Sequence, residues 1–190
     1  MKNYFKILSI SLISIFFVQC SGETPFLIEK NTVGKINSEH LVSDIETLFA
    51  KDSVVTRLSE GDLGGEDTKY LQDEDQYLIY SKEGKHLLTI VPRVQHDSTS
   101  KIKYVEIINS QFKTEKELSL RTPFKEINHQ YMVNKIEMSL ASITLYIDEL
   151  NATISMRKND IGINPFDTKK VHLEQIPDLA KINHFTIWFD

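Results

Sequence analysis

Six histidines, one acidic run and a single cysteine are the residues of this 190-residue chain whose chemistry could reach beyond packing. The histidines are His40, His86, His96, His129, His172 and His184. None forms the His-x3-His or His-Glu-x2-His pair that sets two imidazoles on one helical face for zinc, so surface or strand positions are expected. The stretch from Glu60 to Asp75 carries seven acids. Calcium takes about six to eight oxygen ligands, and an acidic loop can supply several. These acids do not alternate around a central Gly with a terminal Glu, so the expectation is a solvated loop. Gly64-Gly65 lacks the Lys-Ser/Thr that a phosphate loop requires. No Gly-x-Ser-x-Gly elbow presents a nucleophilic serine. Asp148 and Glu149 fit a hairpin turn better than a glycosidase carboxylate pair. Tyr70, Tyr77, Tyr80, Tyr104, Tyr131 and Tyr146 could form a binding face, although tyrosines are ordinary sheet residues. No catalytic residue, metal ligand or cofactor follows, and a protein that is not an enzyme is expected.

Cys20 is the exception. Lys2 and Lys6 form a basic start, no acid precedes Glu23, and Ile7 to Val18 is an apolar or small run. That run has the length of a signal-peptide core and falls short of the roughly 20 residues a spanning helix needs. Cys20 follows in Phe17-Val18-Gln19-Cys20-Ser21-Gly22, where a bacterial lipobox has the thiol that takes up diacylglycerol. Only a soft nucleophile makes that thioether. The reading is therefore a signal peptide over 1–19, lipidation at Cys20 and a tether over 20–32. Cys20-Ser21-Gly22 also fits an ordinary small-x-small cleavage site, which would release a soluble periplasmic protein.

Composition narrows the classes. The chain is 41% hydrophobic and 26% charged, the balance of a globular domain with a real core. One cysteine excludes an internal disulfide framework. The net charge of −5 with no basic block speaks against nucleic acid as a partner. Loss of residues 1–19 removes Lys2 and Lys6 and leaves −7. An acidic body gains nothing from anionic lipid, so the membrane is expected to be held through acyl chains on Cys20 alone.

The elements that must carry any site are read from periodicity. Leu41, Val42, Ile45, Leu48 and Phe49 predict a helix over Ser38 to Ala50. Tyr77–Tyr80 and His86–Val91 form a hairpin turning at Gly84, followed by a strand over Ile102 to Ile108. A second helix opens at Thr122-Pro123, with Thr122 as the cap and Phe124, Ile127 and Tyr131 on one face. A second hairpin joins Ile143–Ile147 to Ala152–Met156. After a turn broken by Pro177, an apolar strand closes the chain from His184 to Phe189. The fold class expected is α+β: an antiparallel sheet with a few helices on one side, in one domain over 33–190. Tyr80 and Glu83 match Tyr146 and Glu149 at an offset of 66, and Val42, Ile45 and Phe49 match Phe124, Ile127 and Tyr131 at 82. The halves 33–110 and 111–190 then repeat a helix-plus-hairpin unit.

With those elements in place, the chain resembles the RpoE-regulated lipoprotein family, a group of small envelope lipoproteins of unknown function. The resemblance lies in Val33-Gly34-Lys35-Ile36, Ser100 to Ile107, Leu118 to Ile127 and the closing Phe185-Thr186-Ile187-Trp188. Arg121 stands where the family tends to have glycine, and Glu115-Lys116-Glu117 replaces an Asp-x-Gly turn. The resemblance implies an envelope location and a shared fold but no catalytic residues. A looser likeness is to small Bacteroidetes-type lipoproteins. Three functions follow as expectations: an envelope lipoprotein that binds or scaffolds an envelope protein, a soluble inhibitor or peptide-binding module, and a hydrolase.

Overall fold

The computed structural model describes residues 25–60, 73–164 and 170–189. The signal segment, Cys20 and most of the acidic run lie outside them. Two sheets are present among the described residues. The smaller has the order β3-β2-β1-β8, with β1 Leu27–Glu29, β2 Thr32–Val33, β3 Ile36–Asn37 and β8 Lys113–Thr114. Its pairs are antiparallel except for β1 and β8, which run parallel. The tether expected over 20–32 is thus corrected at its end, because β1 and the start of β2 are already folded there. A sheet of such short strands is stabilised by what it covers: Ile28, Val33 and Ile36 are fully buried.

The larger sheet explains the apparent repeat. Its strands are β4 Ser53–Arg57, β5 Gln76–Tyr80, β6 His86–Pro92, β7 Ile102–Ile107, β9 Lys135–Met138, β10 Ser142–Ile147, β11 Ala152–Arg157 and β12 His184–Trp188. The order is β4-β5-β6-β7-β12-β11-β10-β9. Each half is a four-stranded antiparallel meander, and the last strands of the two meanders, β7 and β12, pair antiparallel at the seam. The repeating unit is therefore a helix followed by four strands, larger than a helix plus hairpin. Tyr80 and Tyr146 both sit on the second strand of their meanders.

The helices hold equivalent places. α1 is Ile45–Leu48, preceded by a single turn of 3-10 helix at Val42–Asp44, and α2 is Phe124–Gln130. All six residues matched at the offset of 82, from Val42 to Tyr131, are buried in the common core. α1 is much shorter than the periodicity suggests, because its approach is bonded elsewhere. The Val42 and Ser43 N–H groups donate to the Ser100 and Ser98 carbonyls. Thr122 does not cap α2; its Oγ1 accepts the Ser119 N–H at 2.9 Å. The first N–H groups of α2 donate instead to the Ala180 and Asp178 carbonyls, which supply the acceptors a helix start lacks.

The inner face of the large sheet, the small sheet and both helices meet in one core. On β10 and β11 the period of two is exact enough to fix the facing: Ile143, Leu145, Ile147, Ile154 and Met156 are buried, with Ile143 opposite Met156 and Leu145 opposite Ile154. β7 departs from that period. Val91 pairs Tyr104 while Pro92 pairs Ile102, so Lys103 is an extra residue in the strand. Such a bulge lets two successive side chains leave on one face. Ile102 and Val105 both turn inward, and Lys103 and Tyr104 both turn outward. Among the described residues, no helix is long and apolar enough to cross a membrane.

Candidate functional site

The bulge builds the most elaborate polar cluster on the outer face. β12 lies beside β7, so Trp188 sits directly across from Tyr104, their ring centroids 4.9 Å apart and tilted by 53°. The Trp188 indole N–H donates to Thr153 Oγ1 at 3.0 Å, and its carbonyl accepts from the Asn151 amide at 2.9 Å. Lys103 Nζ donates to Glu74 Oε1 at 2.7 Å, and the Tyr104 hydroxyl donates to Glu74 Oε2 at 2.6 Å. Further along the same two strands, His184 Nδ1 lies 2.7 Å from Glu106 Oε1. Together with Thr186 these side chains line an open groove of about 320 Å³.

Its electrostatics are set by close hydrogen bonding. Burial pushes the Glu74 carboxyl up, but the hydrogen bonds from Lys103 and Tyr104 and the lysine charge outweigh it, so the pKa falls below the usual range. Burial, the hydrogen bond to Glu74 and the charges of Glu74 and Glu106 all push the Tyr104 phenol up. At neutral pH the phenol is therefore a donor and the carboxylate an acceptor. The groove offers an aromatic surface flanked by two carboxylates, an ammonium and an imidazole, a set that recognises peptide or sugar groups by stacking and hydrogen bonding.

A second cluster tests the hydrolase expectation. Ser59 Oγ lies 3.0 Å from His96 Nε2 and 3.0 Å from Asp75 Oδ1. These are the residue types of a serine triad, but the wiring differs. In a triad the carboxylate holds one imidazole nitrogen and the serine meets the other. Asp75 Oδ1 is 3.9 Å from His96 Nδ1, beyond hydrogen-bond reach. It accepts the hydrogen bond of the Ser59 hydroxyl, and it also accepts the Ser59 and His96 backbone N–H groups at 2.7 and 2.5 Å. With its hydroxyl hydrogen directed at Asp75, Ser59 Oγ accepts from His96 Nε2 rather than donating to it. Asp75 is fully buried, and it clamps the end of β4, the start of β5 and the loop after β6 together.

Two of the other histidines have partners of their own. His86 stacks on Tyr80 at 4.7 Å, and His40 Nδ1 accepts the Asn37 N–H. Among the described residues no group of three or more His, Cys, Asp or Glu side chains could hold a metal ion. Asp148 and Glu149 lie in the β10–β11 turn, as read from the sequence, and Glu149 pairs with Lys116 at 2.8 Å. Tyr70 lies outside the described residues, and of the other five tyrosines Tyr104 alone lines the groove. Sequence reasoning missed Glu74, Glu106 and Trp188 as site residues, because the β7–β12 pairing sets Trp188 beside β7 and Glu74 reaches β7 from just ahead of β5.

No family model and no curated protein matches the chain. Among solved structures it is similar to the uncharacterised protein YfeY from Escherichia coli. The likeness has a TM-score of 0.51 and covers 86% of this chain and 99% of that one. At 8% sequence identity it speaks for the fold alone. The α+β fold with its largely antiparallel sheets is one that another protein adopts.

Proposed function

We propose that this chain is an exported bacterial envelope lipoprotein, anchored through Cys20, whose folded domain binds a partner protein rather than catalysing a reaction. The resemblance to the RpoE-regulated lipoproteins belongs to this reading. Its N-terminal part rests on the basic start, the apolar run and the cysteine that follows. Its binding part rests on one observation: the outer face at the seam carries the Tyr104–Trp188 pair beside Glu74, Glu106, Lys103 and His184. An extended peptide segment suits that face, laying an apolar side chain on the rings and donating backbone or basic side-chain hydrogens to the carboxylates.

The test is site-specific photo-crosslinking in the envelope. A photoreactive residue at Thr186, in the groove, is compared with one at Glu46, on α1. A discrete protein adduct formed only from the Thr186 position, and lost in Trp188→Ala, supports the reading. Identical adduct patterns from both positions, or none from either, contradict it.

A further inference from the structure

The acidic body has one end of opposite character. The chain enters the fold at Phe26, which is partly exposed and packs edge-on against Phe112 at 5.2 Å. A groove beside it, of about 340 Å³, is lined by Lys35, Lys51, Lys82 and Lys85 with only Asp52 and Glu83 as counter-charges. Lys35 is paired with Asp52 at 3.8 Å. Glu83 accepts from Ser81 Oγ at 2.8 Å. Among the described residues Lys51, Lys82 and Lys85 have no carboxylate in ion-pair range, and all three are exposed. The β2–β3 turn, the segment after α1 and the β5–β6 hairpin each bring at least one of the four. A chain with a formal charge of −5 therefore gathers an excess of positive charge at the end where it enters the fold.

We propose that this lysine groove is a docking surface for an anionic bilayer, seating the anchored domain with its Phe26 end against the membrane. The inference rests on the lipidated reading of Cys20. Phe26 lies six positions beyond Cys20. At roughly 3.5 Å per residue, even a fully extended chain keeps the groove within about 20 Å of the acylated residue. The surface potential of an anionic leaflet falls off over a Debye length, about 8 Å at physiological salt. A shorter excursion than the chain permits brings the lysines into that field, where each contributes about fivefold to surface partitioning. Phe26 adds an apolar contact at the headgroup level. The net charge of −5 counts against attraction to anionic lipid for the body as a whole, and this end is the proposed exception.

The sole cysteine allows a test that does not depend on processing in the cell. The chain from Cys20 onward, which contains every described element, is coupled through its thiol to maleimide-bearing lipid. The vesicles are either pure phosphatidylcholine or contain phosphatidylglycerol. Acetylation rates of individual lysines are then read by mass spectrometry. Lys51, Lys82 and Lys85 are expected to react at least threefold more slowly on phosphatidylglycerol vesicles, with Lys125 and Lys181 unchanged. The protection of Lys35 should disappear in a Lys51→Gln, Lys82→Gln, Lys85→Gln variant and at high salt. Equal rates on both vesicle types overturn the proposal, as does equal protection by inorganic phosphate on neutral vesicles, which would mark a free-anion site. Failure of acylation in cells would overturn the anchor reading and leave this result standing.

Discussion

Tyr104 and Trp188 are register partners across the seam of the large sheet, and their rings touch on its outer face. Trp188 ends the last strand of the chain, yet that strand is central, hydrogen-bonded to β7 on one side and β11 on the other. The candidate site and the join between the two meanders are thus one structure.

Removal of β12 should unfold the protein. A chain ending at Asn183 loses Phe185, Ile187 and Phe189, all buried, and leaves β7 and β11 without a shared partner. No cooperative thermal transition is expected by circular dichroism. Trp188→Phe, which keeps an aromatic ring and loses only the hydrogen bond to Thr153, should fold and cost about 1 kcal/mol. A truncated chain that melts like the full one would contradict the central placement of β12.

Asp75 should govern part of the acid sensitivity. Burial pushes its carboxyl up, but the Ser59 and His96 N–H groups and the Ser59 hydroxyl more than compensate and hold it below the usual range. A group whose pKa is lowered on folding stabilises the native state above its unfolded value, near 3.9, and that stability is lost as pH falls through the lower folded value. Asp75→Asn leaves donors facing a partial acceptor and is expected to cost about 1–3 kcal/mol at neutral pH. The difference between variant and wild type should shrink below about pH 4. Denaturant titrations at several pH values check it; a pH-independent difference would exclude the ionised clamp.

Gly34 should be the least replaceable glycine of the three described. Its φ of +56° is left-handed, and a Cβ there would collide with the Pro25 carbonyl and crowd the Phe112 ring at 3.2 Å. Gly84 and Gly162 have φ of +75° but open space around the same position. Gly84→Ala and Gly162→Ala should therefore cost about 1 kcal/mol each, the strain of a left-handed alanine. Gly34→Ala should cost at least twice that, because backbone must move. Comparable losses in chemical denaturation at all three positions would contradict the close approach of Pro25.

Much of the sheet could be read in advance where alternation ran unbroken for five or six residues. The opposition of Ile143 to Met156 is such a case, and so is the burial of both helix stripes. Strands of two or three residues, such as β1, β2, β3 and β8, are too short for a period to register. The facing of β7 is hidden for a different reason. Its alternation slips at Lys103, and a bulge leaves no mark in residue type. The site was hidden by topology: Tyr104 and Trp188 meet only because the two meanders close on one another, and Glu74 reaches Tyr104 from just ahead of β5, 30 residues away. Glu117 holds a left-handed φ of +64°, which its residue type does not announce.

The claim on which the functional account depends most is the modification of Cys20. Cells expressing the wild-type chain or Cys20→Ala are grown with labelled palmitate, and the protein is isolated and its label counted. The account predicts label in the wild type that stays with the membrane fraction, and none in Cys20→Ala. Equal label in both chains, or an unlabelled wild-type protein in the soluble periplasmic fraction, would contradict it.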